Sequence, residues 1–179
     1  MEIIMAPEKY VPAEQDVVCF LAGGITNCEW WQTAVIDQLK KFTANHLVIC
    51  NPRRENFPID NPGAADEQIA WEFDNLEMAD IFSMYFSSGE SDQPICMYEL
   101  GRNIVRTQDK FPDSWKDRLV ITVESGYRRT KDVFVQTALA TDEFDLAILG
   151  NDFNEAVELH AKRIYEAYTK ICEQWGIEP

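Results

Sequence analysis

Glu99 is the residue whose position most clearly suggests chemistry. It follows the predicted strand Ile81–Phe86 and a loop, residues 87–94, that is rich in polar residues. We predict that Glu99 lies in the first turn of the next helix. Ligands of open α/β sheets bind beyond the carboxyl ends of the strands, where such loops lie, so this carboxylate can face a substrate. The alternative is an ordinary helix start, because the helix dipole alone favours acidic residues in a first turn.

Three aspartates are further candidates for carboxylate chemistry. Asp74 lies on a helix that we predict to begin near Asp66, away from the apolar side of that helix, and a solvated helix face is the alternative. Asp92 lies in the polar loop before Glu99. Asp80 begins a predicted strand, where a structural role is favoured. The side chains that we expect to point into the core from the Asp74 helix are Ile69, Phe73 and Leu76.

Four other side chains are candidates for substrate binding. Arg53 and Arg54 follow the second predicted strand, which places them at the expected ligand edge of the sheet. Their guanidinium groups can hold a phosphate or a carboxylate through paired hydrogen bonds, and ion pairs with nearby acidic residues are the alternative. Trp30 and Trp71 are candidates for stacking on a flat base. Trp31 fits the core side of its helix better.

The sequence does not carry a complete cofactor or metal motif. Gly23 and Gly24 follow the first long predicted strand and can bring the backbone close to a ligand, but the G-x-G-x-x-G spacing and a Walker A run are absent. His46 begins a predicted strand and His160 lies on the last predicted helix, which disfavours a histidine-based triad or a zinc site. We therefore expect no cofactor and no metal.

Charge and cysteine content limit the classes of partner. The chain has 31 acidic and 16 basic residues, a net charge of −15, which argues against a nucleic-acid polymer or an anionic membrane as partner. The five cysteines are odd in number and form no C-x-x-C pair, as is typical of free thiols in a reducing cytoplasm. We see no signal peptide and no apolar run of the roughly 20 residues that span a bilayer. We predict a cytoplasmic protein.

Strands and helices alternate along the chain. Apolar runs predict strands at residues 17–22, 46–50, 81–86, 119–123 and 145–149. Helical spacing predicts helices over residues 29–42, from residue 66, through Glu99, over 133–140 and over 151–175. This alternation predicts a parallel, doubly wound α/β sheet with helices on both faces. We divide the chain into an irregular N-terminal arm, residues 1–16, and one α/β domain, residues 17–179.

The sequence contains six short runs in this order: Phe20-Leu21-Ala22-Gly23-Gly24-Ile25, Trp31-Gln32, Asn51-Pro52-Arg53-Arg54, Gln68-Ile69-Ala70-Trp71-Glu72, Ala79-Asp80 and Glu99-Leu100-Gly101. Together they resemble the nucleoside 2-deoxyribosyltransferase family, especially its deoxyribosyltransferase-like branch. The resemblance covers about residues 17–123 and implies a flavodoxin-like, Rossmann-like fold. It implies that Glu99 is the nucleophile and that Asp74 contacts the base or aids proton transfer.

The sequence departs from the family pattern just before Glu99. Gln93 occupies a position where family members carry Asp or Ser, and Asp92 lies directly beside it. A neighbouring subunit often completes the family's active site, which implies a homo-oligomer, with Asn151 and Asn154 as candidates for the contributed residue.

The resemblance implies cleavage or transfer of the N-glycosidic bond of 2′-deoxynucleosides or their 5′-monophosphates, through a covalent deoxyribosyl–glutamate intermediate. The partners would be a small nucleoside or nucleotide and a nucleobase. One alternative is a glycohydrolase of NAD or another nucleotide. The other alternative is a nucleotide-binding module without turnover.

Overall fold

Six parallel strands form one sheet. The computed structural model describes all 179 residues. The strands are β1 (Glu2–Met5), β2 (Val17–Gly23), β3 (Leu47–Asn51), β4 (Ile81–Phe86), β5 (Leu119–Glu124) and β6 (Ala147–Gly150). Their order across the sheet is β1-β3-β2-β4-β5-β6. Because all five strand pairs are parallel, every strand ends at the same edge. The predicted α/β fold class is therefore confirmed.

Helices cover both faces of the sheet. They are α1 (Trp31–Leu39), α2 (Ala64–Met78), α3 (Pro94–Lys110), α4 (Thr130–Thr141) and α5 (Phe153–Trp175), with a short 3₁₀ turn at Trp115–Arg118. Helices α2, α3 and α4 pack on one face, and α1 and α5 pack on the other. Each central strand is buried on both faces, as its continuous apolar sequence predicts. None of the helices combines the length and the apolar character that crossing a bilayer requires.

The N-terminal arm is more regular than the sequence predicted. Residues 2–5 form β1, which pairs with β3 in parallel and makes an edge of the sheet, with Ile4 opposite Cys50. A four-residue strand is too short to show a period of its own, so only the pairing with β3 reveals it. The following residues cross α2, where Trp71 Nε1 donates a hydrogen bond of 2.6 Å to the Glu8 carbonyl.

Helix α2 is rotated about its axis relative to the prediction. Ile69 and Phe73, which we expected in the core, are 64% and 52% exposed. Trp71 is buried instead, and its ring lies 6.1 Å from that of Phe20 on β2. Since Trp71 has the largest apolar side chain on this helix, its burial turns the Ile69 side outward. The buried residues of α2 are Ala64, Trp71, Asn75 and Leu76.

Candidate active site

A cavity of about 250 Å³ opens at the carboxyl edge of the sheet, above β2 and β4. The strand order reverses between these two strands, since β3 lies on one side of β2 and β4 on the other. Such a switch point is where open α/β sheets bind ligands. The lining residues are Phe20, Ala22, Gly23, Gly24, Ile25, Thr26, Pro52, Glu72, Ser91, Gln93, Pro94, Ile95, Cys96 and Glu99.

Glu99 is half-buried and lines this cavity from α3. The helix begins at Pro94, so Glu99 lies in its second turn and not in the first, as we had predicted. The helix dipole acts mainly on the first turn, so it does not explain a carboxylate at this position. Burial raises the pKa of Glu99 to about 7; repulsion from Glu72 acts in the same direction, and attraction to Arg102 opposes both.

Glu72, a residue that the sequence reasoning missed, is the second carboxylate of the cavity. Burial raises the pKa of Glu72, against the opposing effects of a hydrogen bond from Gln68 and the charge of Arg54. Gln68 Nε2 lies 2.7 Å from Glu72 Oε1. Trp71 is the feature of the sequence that could have revealed Glu72. If the buried face of α2 is centred on Trp71, the neighbouring Glu72 lies towards the cavity.

Asp74 is separated from Glu99 in the structure. It is exposed and lines a different depression, between α2 and the N-terminal arm, together with Lys9 and Tyr10. Two residues along a helix correspond to a turn of about 200°, so Glu72 and Asp74 point in nearly opposite directions. The contact of Asp74 with the base, which the family resemblance implied, stays a prediction, because within this chain Asp74 does not line the Glu99 cavity.

Gly23, Gly24 and Gln93, all predicted binding residues, come together in the cavity wall. Gly23 has φ = +152°, and a Cβ atom there would lie 2.6 Å from Trp31 Cζ2. A Cβ atom on Gly24 would lie 2.6 Å from Gln93 Oε1. These approaches exclude larger side chains and leave the backbone next to the cavity.

Gln93 closes the polar loop that precedes α3. Its side chain donates to the Ser87 carbonyl over 2.7 Å, and its backbone is left-handed, with φ = +46°. Asp92, the neighbouring candidate, is exposed and does not line the cavity. Its carboxylate lies 3.7 Å from a guanidinium nitrogen of Arg128. The structure therefore places Gln93, but not Asp92, beside Glu99.

Glu124 holds the same loop through hydrogen bonds to Ser88, and the sequence analysis did not identify it. This buried carboxylate, the last residue of β5, accepts hydrogen bonds from the Ser88 backbone N–H over 3.1 Å and from the Ser88 hydroxyl over 2.7 Å. The hydroxyl of Tyr85 also donates to it. The sequence could have pointed to Glu124, because this residue stands at the end of a predicted strand. Glu124 thus helps to hold the loop that carries Ser91 and Gln93 at the cavity.

Arg53 is a buried structural anchor. Its guanidinium donates to the backbone carbonyls of Ile25, Cys28 and Glu29 and to the side-chain oxygen of Gln32. It also lies 4.3 Å from the centre of the Trp30 ring. Four of its five N–H groups are thus occupied by protein acceptors, which leaves little capacity for a phosphate.

Replacing Arg53 should therefore affect folding more than substrate choice. Arg53→Met should lower the free energy of unfolding by at least about 2 kcal/mol, because three backbone carbonyls and the buried Gln32 side chain lose a charged donor. Chemical denaturation measures this effect, with Arg129→Met as a control on an exposed arginine. A stable Arg53→Met protein that loses affinity only for phosphorylated ligands would contradict this assignment.

Arg54 and the two tryptophan candidates lie outside the Glu99 cavity. Arg54 pairs with Glu67 over 2.7 Å and, with Trp30, lines a separate cavity of about 670 Å³ near the ends of β1 and β3. Trp71 is buried, with its indole N–H bonded to the Glu8 carbonyl, so its ring is not free to stack on a base. The predicted binding residues are thus divided among two cavities, the core and, for Asp92, the exposed surface.

The fold and the cavity together define a class of protein, a parallel α/β protein with two carboxylates at the switch point of its sheet. A family model described as "nucleoside 2-deoxyribosyltransferase like" matches residues 16–111. This match covers more than half of the 179 residues, and the chain belongs to that family. The matched segment contains both Glu72 and Glu99. No curated protein matches the chain.

Proposed function

We propose that this protein cleaves or transfers the N-glycosidic bond of 2′-deoxynucleosides, with Glu99 as the nucleophile. The observation that carries the proposal is the pair of carboxylates, Glu72 and Glu99, that face one cavity at the switch point of the sheet. Two carboxyl groups on a shared site acquire different proton affinities, which suits one to attack and the other to transfer a proton. Membership of the nucleoside 2-deoxyribosyltransferase-like family supports the same chemistry.

In the first step, a Glu99 carboxylate oxygen attacks C1′ of the deoxyribose. The new C–O bond forms an ester, the C1′–N bond breaks, and its electron pair goes to the base nitrogen. This resembles the first half of a retaining glycosidase reaction. The departing base needs a proton or a hydrogen bond, and Glu72 is the other acidic group that lines the cavity.

In the second step, an incoming nucleophile attacks C1′ of the ester and releases the Glu99 carboxylate. A second nucleobase gives transfer, and water gives hydrolysis. In both cases Glu72 acts in reverse, as a base that removes a proton from the nucleophile.

The charge of the cavity favours unphosphorylated substrates. Its charged lining residues are Glu72 and Glu99, and no Lys or Arg lines it. A 5′-phosphate would meet negative charge there without a guanidinium to balance it. The volume of about 250 Å³ is also small for a dinucleotide, which weighs against NAD. The interpretation of Arg53 and Arg54 as a phosphate clamp loses its support, since neither residue lines this cavity.

Incubation with a panel of substrates tests the proposal. The protein is mixed with 2′-deoxynucleosides, the matching 5′-monophosphates and NAD, with and without a second free base, and products are separated by chromatography. We expect base release or exchange from the deoxynucleosides and at least about tenfold slower turnover of the monophosphates, the scale of one unfavourable charge contact. Preference for NAD would support the glycohydrolase alternative, and ligand binding without turnover would support the non-catalytic one.

We also propose that the protein forms a homo-oligomer through the outer face of α2 and α3. Ile69 and Phe73 on α2 and Ile95 and Tyr98 on α3 are all more than half exposed. Ile95 also lines the Glu99 cavity, so this apolar face continues into the mouth of the site. Exposed apolar patches next to a pocket are typical of protein interfaces. Asn151 and Asn154 are exposed beyond the end of β6, where they stay candidates for contact with a neighbouring site.

A charge placed on this face should dissociate the oligomer. Phe73→Glu is expected to shift the protein towards monomer in sedimentation or light-scattering measurements, because a carboxylate would have to be buried in the interface. Leu139→Glu, on the exposed side of α4, is the matched control and should leave the mass unchanged. A wild-type protein that stays monomeric at the highest concentration tested would refute the interface.

A further inference from the structure

Gln68 connects the loop after β3 to the catalytic cavity. It lies one helical turn before Glu72 on α2, and its Nε2 amide group donates to two acceptors. One is Glu72 Oε1, and the other is the backbone carbonyl of Pro52, each at 2.7 Å. Pro52 itself lines the cavity. The side-chain amide therefore spans two parts of the cavity wall.

The Pro52 carbonyl decides which end of the amide faces Glu72. A backbone carbonyl only accepts hydrogen bonds, so the amide nitrogen must point towards it. Turning the amide over would place two oxygens against each other at Pro52. In this orientation Gln68 Oε1 is buried and accepts no hydrogen bond from the protein. Such an unsatisfied acceptor is costly, so the two N–H contacts must compensate for it.

An N–H donor stabilises the ionised form of a carboxyl group. Glu72 receives such a donor, whereas the Glu99 carboxyl receives none: Asn103 donates only to the Glu99 backbone carbonyl. The two carboxyls repel each other when both are ionised. A single shared proton relieves that repulsion, and the amide of Gln68 favours its location on Glu99.

The other charged and titratable groups around the pair do not reverse this preference. The charge of Arg54, from the loop after β3, lowers the pKa of Glu72, and that of Arg102, on α3, lowers the pKa of Glu99. The charge of one guanidinium group thus acts on each carboxyl, although neither arginine lines the cavity. The nearby thiols of Cys28 and Cys96 stay neutral, because burial raises their pKa. The hydrogen bond from Gln68 is then the contact that distinguishes the two carboxyls.

We propose that Gln68 is a positioning residue that keeps the shared proton on Glu99 while the cavity is empty. This inference rests on the proposed function of the pair. In the resting site Glu99 is a neutral acid and Glu72 is a carboxylate, so neither group is ready to react. Transfer of that one proton from Glu99 to Glu72 creates the nucleophile and the acid together. Glu99 then attacks C1′, and the proton on Glu72 goes to the base nitrogen, which takes the electron pair of the C1′–N bond.

Carboxyl titration by NMR tests the proton placement directly. Protein labelled with ¹³C at the glutamate carboxyl carbon is titrated between about pH 4 and 9, and Glu72→Gln and Glu99→Gln assign the two signals. We expect Glu72 to titrate below Glu99 in the wild type. In Gln68→Met, which keeps the side-chain length and loses the donor, the Glu72 midpoint should rise and the Glu99 midpoint fall, together by about one pH unit.

Controls separate this role from a merely structural one. Asp66→Asn, on an exposed residue of the same helix, should leave both midpoints unchanged. Gln68→Asn, which is too short to reach both acceptors, is a second variant that should act as Gln68→Met does and serves if the latter does not fold. Unmoved midpoints in these variants, or a wild-type Glu72 that titrates above Glu99, would overturn the inference.

The rate profile supplies an independent readout. The acid limb of kcat/KM should move to higher pH in Gln68→Met. The reactive pair carries one proton, and the first of its two protons, which the wild type loses mainly from Glu72, then leaves at higher pH. The titration needs no turnover. A wild type that releases no base therefore overturns the proposed function, whereas unchanged NMR midpoints overturn the placement of the proton.

Discussion

Glu99→Gln is expected to lower kcat/KM for 2′-deoxynucleosides at least about a thousandfold, the scale of losing a group that forms a covalent intermediate. Glutamine matches glutamate in size, so the cavity keeps its shape. Its amide is a poor nucleophile and cannot form the ester with C1′. Steady-state kinetics on the folded variant measure the loss, and mass spectrometry of the wild type with a slowly turned-over substrate should find a deoxyribosyl adduct on Glu99. Near-normal turnover of a folded Glu99→Gln protein, or an adduct on another residue, would eliminate the assignment.

The stability of the same variant provides a test that does not depend on activity. Burial raises the pKa of Glu99 to about 7 in the folded protein, whereas an unfolded glutamate titrates near about 4.3. Between these values the folded state holds a proton that the unfolded state has lost, so this group makes the protein less stable as pH rises from about 4 to about 7. Glutamine does not ionise, so Glu99→Gln should lose less stability than the wild type over this interval. Thermal unfolding at several pH values measures the difference, and an unchanged pH dependence would contradict the raised pKa.

Glu72→Gln is expected to slow the reaction about a hundredfold or more for deoxynucleosides with poorly leaving bases, the usual scale of a lost general acid. The defect should shrink for a substrate whose base leaves without a proton, because Glu99 can still attack C1′. Rates for a series of bases with different nitrogen acidity measure this dependence. The pattern identifies an acid that serves the base, since a nonspecific disturbance of the cavity would slow all substrates alike.

Asp74→Asn is the matched control, on the same helix and with the same change of charge. Asp74 is exposed and lies away from the cavity, so this variant should retain nearly wild-type rates with every base. If Asp74→Asn shows the dependence on the leaving group and Glu72→Gln does not, the base is served by Asp74. A second copy of the chain would then have to bring its Asp74 to the Glu99 cavity, because Asp74 lies outside the cavity of its own chain.

The orientation of α2 marks the limit of what could be predicted for the site. Two sets of residues on this helix compete for the core: Ile69, Phe73 and Leu76, which we predicted, and Trp71, Asn75 and Leu76. Both have spacings that a helix can bury, so periodicity alone does not choose between them. The contact of Trp71 with Phe20 and with the Glu8 carbonyl selects the second set. That choice carries Glu72 to the cavity and Asp74 away from it.

The role of Arg53 shows a second limit. The sequence correctly places this residue after β3 at the ligand edge of the sheet. Its acceptors, however, are mainly backbone carbonyls in the connection between β2 and α1, a contact between segments more than 20 residues apart that no local pattern encodes. A guanidinium at a ligand edge therefore looks the same in the sequence whether it binds a substrate or holds a loop.

The sequence by itself determined the parallel α/β architecture, because long apolar strands alternate with amphipathic helices and buried parallel strands need helices on both faces. It also determined that Gly23, Gly24, Gln93 and Glu99 would meet at one edge, since the segments that follow parallel strands end on the same side. Only the tertiary structure decided the edge strand β1, the rotation of α2 and the anchoring of Arg53. These features depend on packing between distant segments, where burial of a large side chain and hydrogen bonding of backbone carbonyls outweigh local preference.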